Sequence, residues 1–204
     1  MAKQFVYIGD PMCSWCWGFV PVLNELLGAY PLPLRTIVGG LRPGGAAQLL
    51  DDNLRSYLKQ HWQQVEQVSG QPFNYQSLAR ENWRYDTELA ARAVVTMRLL
   101  VPEQEFVFFK QLQQAFYADA IDITQSEVYP DLLNGFEVDA ETFREQMLSD
   151  DIKEATYYDF ALTQHLGIRG FPSLLLADGD ELTMLSHGYR PFEELSDVVN
   201  AHLS

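Results

Sequence analysis

The chain has 204 residues, 47% of them hydrophobic and 21% charged, enough for one medium domain or one domain with a large insertion. Acidic residues outnumber basic ones 28 to 14, a formal net charge of −14. That argues against nucleic acid and the anionic face of a membrane as partners, because both are bound through Lys and Arg. The opening MAKQFVYIGD has no long apolar stretch and no small-residue cleavage site. No apolar run approaches the roughly 20 residues that cross a bilayer, so a cytoplasmic chain without a signal peptide is expected.

In chain order, Gln4-Phe5-Val6-Tyr7-Ile8 is β-branched and aromatic and ends at Gly9-Asp10-Pro11, a buried strand followed by a turn. Phe19, Val20, Leu23, Leu26 and Leu27 then recur at helical spacing, predicting a helix from near Cys13 to near Gly28. Leu34 to Val38 is a second strand, closed by Gly39-Gly40. Strand, helix and strand within 38 residues make a βαβ unit, whose default is a parallel pair with a right-handed crossover.

From about Ala46 to Leu166 the pattern is helical. Stripes run through Leu54, Leu58, Trp62 and Val65, through Leu89, Ala93, Met97 and Leu100, and through Phe106, Phe109, Gln113 and Phe116, the last interrupted by its glutamine. Thr124-Gln125-Ser126-Glu127 fits a capping box, and Asp139 fits the N-cap of a short helix bearing Phe143 and Met147. Ile152, Ala155, Leu162 and Leu166 form a last stripe, which Gly167 would terminate.

The period then changes. Ser173 to Ala177 is a short apolar strand after Pro172, Asp178-Gly179 is a hairpin turn signal, and Leu182 to Leu185 is the returning strand. Pro191 suits a helix start, and Phe192, Leu195, Val199 and Leu203 give a terminal amphipathic helix. The order β-α-β, helical block, β-β-α predicts an α/β fold: a four-stranded mixed sheet from residues 1–45 and 164–204, interrupted by an all-helical insertion over 46–163.

The chain has two cysteines, Cys13 and Cys16, spaced C-x-x-C around Ser14-Trp15. A secreted scaffold spreads several cysteines to tie distant segments together, so one tight pair points to chemistry. Two intervening residues at a helix start bring the sulfurs within bonding distance, and the unpaired amides there favour a thiolate, the attacking species in disulfide exchange. Cys13 would attack from the exposed end and Cys16, one turn in, would resolve. A zinc site needs about four ligands, and His61, His165, His187 and His202 are too scattered to complete one, so no metal is expected. Gly170-Phe171-Pro172 places a proline directly before an apolar strand, where it cannot donate to the ladder.

Asp10-Pro11-Met12-Cys13-Ser14-Trp15-Cys16-Trp17-Gly18, together with Gly167-Ile168-Arg169-Gly170-Phe171-Pro172, resembles the DsbA family of disulfide oxidoreductases, nearest its cytosolic, FrnE-like branch of predicted protein-disulfide isomerases. The resemblance runs over nearly the whole chain. It implies a thioredoxin fold with an inserted helical domain, a cis Pro172 facing the dithiol, and a backbone at Phe171 that pairs with a substrate chain. It implies protein or peptide thiols and disulfides as substrates, no required cofactor, and glutathione as a redox co-substrate. Two departures stand out. Ser14-Trp15 is neither the Pro-His of the strong periplasmic oxidant nor the Gly-Pro of thioredoxin, which leaves the direction of electron flow open. Tyr7 stands where thioredoxin keeps a buried aspartate, and Asp10, the nearest acid, reads more as a turn residue than as a proton carrier. Trp15 and Trp17 flank the outer sulfur as an apolar rim, with packing an equal reading for Trp17.

The alternative is a glutathione-dependent isomerase or transferase related to 2-hydroxychromene-2-carboxylate isomerase and the kappa-class glutathione transferases, which use a serine near the helix start and no dithiol. Cys16 argues against it. A third reading, a docking or metal-carrying module without turnover, is separated by activity, since function lives in the site. Oligomeric state is not encoded in any motif.

Overall fold

The computed structural model describes residues 3–203. β1 (Gln4–Gly9), α1 (Ser14–Ala29) and β2 (Leu34–Val38) form the first unit. There follow β3 (Gln48–Leu49), α2 (Asp52–Ser69), β4 (Arg84–Tyr85), α3 (Glu88–Leu100), α4 (Glu105–Tyr117), α5 (Tyr129–Leu132), α6 (Ala140–Leu148) and α7 (Asp150–His165). β5 (Ser173–Asp178), β6 (Glu181–His187) and α8 (Phe192–Leu203) close the chain. The main sheet has the order β2-β1-β5-β6. β1 and β2 are parallel, Phe5 opposite Leu34 and Gly9 opposite Val38, while β1–β5 and β5–β6 are antiparallel. This is the four-stranded mixed sheet that the order of elements implied, in the thioredoxin fold that the family resemblance implied.

β1 is apolar throughout because both of its faces are covered. Phe5 and Tyr7 point into the large core shared with Leu23 and Leu26 of α1 and Leu195 and Val199 of α8. Val6 and Ile8 point the other way, into a smaller cluster with Ile37, Ile168 and Leu175, covered by Leu162 of α7 and by Leu166. The expected boundary between residues 163 and 164 thus falls inside a helix that lines the back of the sheet.

The helical block closes onto α1 through two small features. Gly18 lets α2 approach: a Cβ there would lie 2.6 Å from the Val65 side chain. Pro21, inside α1, has no N–H to give the Trp17 carbonyl, and Gln71 Nε2 donates to that carbonyl instead at 3.1 Å. Behind the sheet, Arg98 reaches Glu105 at 2.8 Å, Asp159 at 2.7 Å and the Thr36 carbonyl at 3.1 Å. Asp159 also accepts the Val38 N–H at 3.0 Å. One guanidinium therefore ties α3, α4 and α7 to the end of β2.

Three expectations fail locally. The capping box at Thr124 does not form: the Thr124 hydroxyl donates to Asp122 at 2.6 Å, and Ser126–Val128 is a single 3₁₀ turn with no side-chain cap. The nearer carboxylate wins, since Asp122 also accepts the Thr124 N–H in a local turn. The buried stripe of α7 is Ile152, Thr156, Asp159, Phe160 and Thr163, not one through Ala155, which is exposed. Its polar members make the hydropathy period misleading. Finally, the insertion is not all-helical, because β3 and β4 pair antiparallel, Gln48 opposite Tyr85. Two residues per strand are too few to show an alternating pattern. Asp139 does cap α6, accepting from the Thr142 N–H at 2.8 Å, and Gly167 follows α7 at φ +71.

Candidate active site

The site is built on the loop between β1 and α1. Asp10, fully buried, accepts the Met12 N–H at 2.9 Å on one carboxylate oxygen and the Leu41 N–H at 2.8 Å on the other. Its carbonyl accepts the Cys13 N–H at 3.0 Å. These bonds turn the chain from strand to helix and fasten it to the loop after β2, the role of a turn aspartate. Burial pushes the Asp10 carboxyl up from 3.8 to about 6, against the opposing pull of the Leu41 and Met12 amides and the Thr87 hydroxyl. The Tyr85 hydroxyl donates to the Met12 carbonyl and fixes the same turn from the insertion side.

Cys13 takes the N-cap position of α1 with an extended backbone, and neither a side-chain cap nor an acidic residue crowds the first turn. Its side chain keeps 7% of its surface exposed, and its thiol points at the Phe171 carbonyl, 3.7 Å away. The Phe171–Pro172 peptide bond is cis. Cys16, one turn along, has no exposed surface. Both cysteines are free thiols. Burial pushes the Cys16 thiol well above its usual range, and its hydrogen bond with Cys13 adds to this. The Tyr7 hydroxyl hydrogen-bonds the Cys16 sulfur and pulls the other way.

Tyr7 is held for that contact. Phe19, Phe106 and Phe109 surround its ring at 5.6–6.4 Å between centroids. Gly9 leaves room for its hydroxyl, since a Cβ there would stand 2.6 Å from it. A phenol thus takes the place of a buried carboxylate beneath the inner sulfur.

A cleft of about 190 Å³ opens over Cys13. One wall is Ser14, Trp15 and Phe171, and the other is Arg42, Tyr57, His61 and Tyr85. Trp15 and Phe171 also form part of a second, apolar cleft of about 410 Å³ with Val68, Gly188 and Tyr189. The residues singled out from the sequence, Cys13, Cys16, Ser14, Trp15, Phe171 and Pro172, therefore meet at one place. Trp17 does not join them: it is buried, its indole N–H donates to the Pro72 carbonyl at 3.1 Å, and it stacks on Tyr117. His61, set aside in the sequence as a zinc ligand, lines the cleft, with Nδ1 3.1 Å from the Tyr57 carbonyl. The sequence reading missed Arg42, Tyr57 and Tyr85. One signal was available for Arg42, a lone base just past the C-terminal end of a parallel strand, where open α/β sheets bind ligands. Among the described residues no three His, Cys, Asp or Glu are grouped to hold a metal ion, and no helix is long and apolar enough to cross a membrane.

The thioredoxin family model matches residues 5–197. A candidate protein disulfide isomerase of known structure from Nitrosomonas europaea is 34% identical, with a TM-score of 0.91 over 100% of this chain and 98% of that one. The cytosolic disulfide reductase DsbM from Pseudomonas aeruginosa shares the fold at 23% identity and a TM-score of 0.82, over 98% of this chain and all of that one, and has also been solved with glutathione. The ClpXP adapter protein SpxH of Bacillus cereus is 24% identical over 185 residues, 88% of this chain. The chain spans 61% of that relative's length.

Proposed function

This chain belongs to the thioredoxin family, and from that membership we propose that it is a DsbA-like thiol–disulfide oxidoreductase working through Cys13 and Cys16 on protein or peptide disulfides, with glutathione as a redox co-substrate. The observation that carries this reading is the placement of Cys13: at the open end of α1, at the mouth of a cleft, beside the carbonyl that precedes a cis proline, with Cys16 buried one turn beneath it.

The chemistry follows from that placement. The Cys13 thiolate attacks one sulfur of a substrate disulfide. A Cys13–substrate disulfide forms, the substrate S–S bond breaks, and the departing thiolate takes a proton from water. Cys16 then loses its proton and attacks the Cys13 sulfur, closing the Cys13–Cys16 disulfide and releasing the second substrate thiol. The protein gives up two electrons and the substrate gains them, and every step is reversible. The walls divide the work. The Phe171 carbonyl lies beside the reacting sulfur, where an extended substrate backbone aligns, and Trp15 with the apolar cleft beyond it accepts side chains flanking the disulfide. Burial holds Cys16 as a thiol until the mixed disulfide forms, and the Tyr7 hydroxyl stabilises the thiolate that must then appear.

A turnover assay with a protein disulfide tests this. Cys13→Ser is expected to abolish exchange, and Cys16→Ser to accumulate a mixed disulfide at Cys13. Full exchange by Cys13→Ser would remove the proposal. A second reading, activation of glutathione's own thiol by Ser14, rests on Ser14 lining the same cleft. It predicts that Cys16→Ser keeps full activity. A docking role of the kind named for SpxH predicts partner binding that survives replacement of both cysteines.

A further inference from the structure

The chain carries a net charge of −14, yet a cation forms one wall of the cleft over Cys13. Arg42 lines the cleft of about 190 Å³ and also an outer one of about 580 Å³ with Gln48, Leu49, Asp51 and Leu54. Tyr57 is shared as well, so the two clefts adjoin through these two side chains.

Arg42 is held in place by hydrogen bonds and a ring contact, and its charge acts on the buried Asp10 carboxyl without forming an ion pair with it. Its N–H donates to the Thr87 hydroxyl at 3.1 Å, and its carbonyl accepts the Thr87 N–H at 3.2 Å. Its guanidinium lies 5.0 Å above the Tyr85 ring, and Nε donates to Gln48 at 3.0 Å. Among the described residues the ion pairs are made by Lys3, Arg55, Arg80, Arg92 and Arg98, none of them by Arg42. The carboxylates around it are committed elsewhere: Asp10 to two backbone amides, and Asp51, in the outer cleft, to the Leu54 N–H at 2.8 Å as the cap of α2. A guanidinium stacked on a ring keeps its remaining N–H donors as a fork suited to a carboxylate.

We infer that Arg42 selects small anionic disulfides: it takes a carboxylate of the substrate while Cys13 takes its sulfur. This rests on the exchange reaction proposed above and names the kind of small disulfide that reaction prefers. The apolar wall of Trp15 and Phe171 has no means of making that distinction.

The test compares two disulfides at the reduced full-length protein. The probes are oxidised glutathione, which carries carboxylates, and bis(2-hydroxyethyl) disulfide, which is neutral, and the readout is the ratio of their second-order oxidation rates. Whatever change both rates share, Arg42→Gln is expected to lower that ratio about tenfold, the worth of one charge-assisted hydrogen bond, and Arg42→Lys to recover part of it. Added salt lowers the ratio more steeply in the unmutated protein than in Arg42→Gln, because the attraction to Arg42 is screened in one while the repulsion from the −14 chain is screened in both. An unchanged ratio in Arg42→Gln, or an equal salt dependence in the two proteins, overturns the inference while leaving the exchange reaction standing. A protein disulfide in a third arm, scored against the neutral probe, separates the sources of the carboxylate. An equal tenfold loss there moves the ligand to protein chains and overturns the small-molecule assignment. Failure of the unmutated protein to be oxidised by either probe takes down the exchange reading and this inference with it.

Discussion

Asp10, just past β1, and Asp159 of α7, whose carboxylate meets the last residue of β2, serve the ends of neighbouring strands of one sheet, and the molecule treats them oppositely. Asp159, behind the sheet, is nearly buried and meets Arg98 at 2.7 Å and the Val38 N–H at 3.0 Å. Asp10, in front, is fully buried beside the dithiol and has two backbone amides but no ion pair. Burial leaves its carboxyl titrating near neutrality, at about 6. The back of the sheet neutralises its acid and uses it as a clamp between insertion and sheet. The front leaves its polar groups, Asp10, Tyr7 and Cys16, in an apolar floor that favours the protonated form of each. A buried ion pair does not stabilise by itself, but breaking one leaves a charge stranded.

That difference can be broken from either side. The largest effect is expected behind the sheet: Arg98→Met strands Asp159 and Glu105 together and should cost about 3–5 kcal/mol in chemical denaturation. A loss below about 1 kcal/mol would show that the seam is not a clamp.

In front, the sign is set by the direction of the shift. The folded carboxyl of Asp10 is raised from 3.8 to about 6, so its contribution is fully present below about pH 4 and is lost as pH rises through 6. Measured against Asp10→Asn, the unmutated protein should lose about 3 kcal/mol of relative stability between those limits. A flat difference curve would place the Asp10 titration at its ordinary value.

Tyr7→Phe keeps the ring and removes the hydroxyl that meets Cys16. It should slow release of glutathione from a preformed Cys13 mixed disulfide about fivefold, the worth of one hydrogen bond of about 1 kcal/mol. A merely structural role for Tyr7 would change the melting temperature and leave that rate alone. The smallest effect lies away from both regions. Gln113 is buried, and neither amide atom has a hydrogen-bond partner among the described residues. Gln113→Leu should therefore stabilise by about 1 kcal/mol in a denaturant titration.

Which parts of this were legible in the sequence follows from the range of the interactions. The βαβ unit, the terminal β-β-α and the C-x-x-C at the junction of β1 and α1 rest on local periodicity and turn residues, and they stand where the pattern placed them. The cis Pro172 opposite Cys13 was legible through the family resemblance, because Gly170-Phe171-Pro172 alone is an ordinary strand entry. Thr124 was misread because a capping box and an Asp122 turn compete for one hydroxyl, and sequence shows both without ranking them. The α7 stripe was misread because polar residues fill it: Asp159 is buried against Val38 and Arg98 on other elements, and Thr156 is buried with its hydroxyl turned back to the Ile152 carbonyl. Tyr57 and His61 were invisible as partners of Cys13 because they lie 44 and 48 positions away in the chain, brought to it only by the fold.

The central claim is that Cys13 and Cys16 act as one redox pair. The most direct measurement equilibrates the protein across a series of glutathione redox buffers, quenches with acid, and determines by mass whether the cysteines carry protons, glutathione or a bond to each other. The account predicts a single two-electron transition from two thiols to a Cys13–Cys16 disulfide, fully reversible. Both thiols surviving the most oxidising buffer, or glutathione accumulating on Cys13 without any internal disulfide, would contradict it.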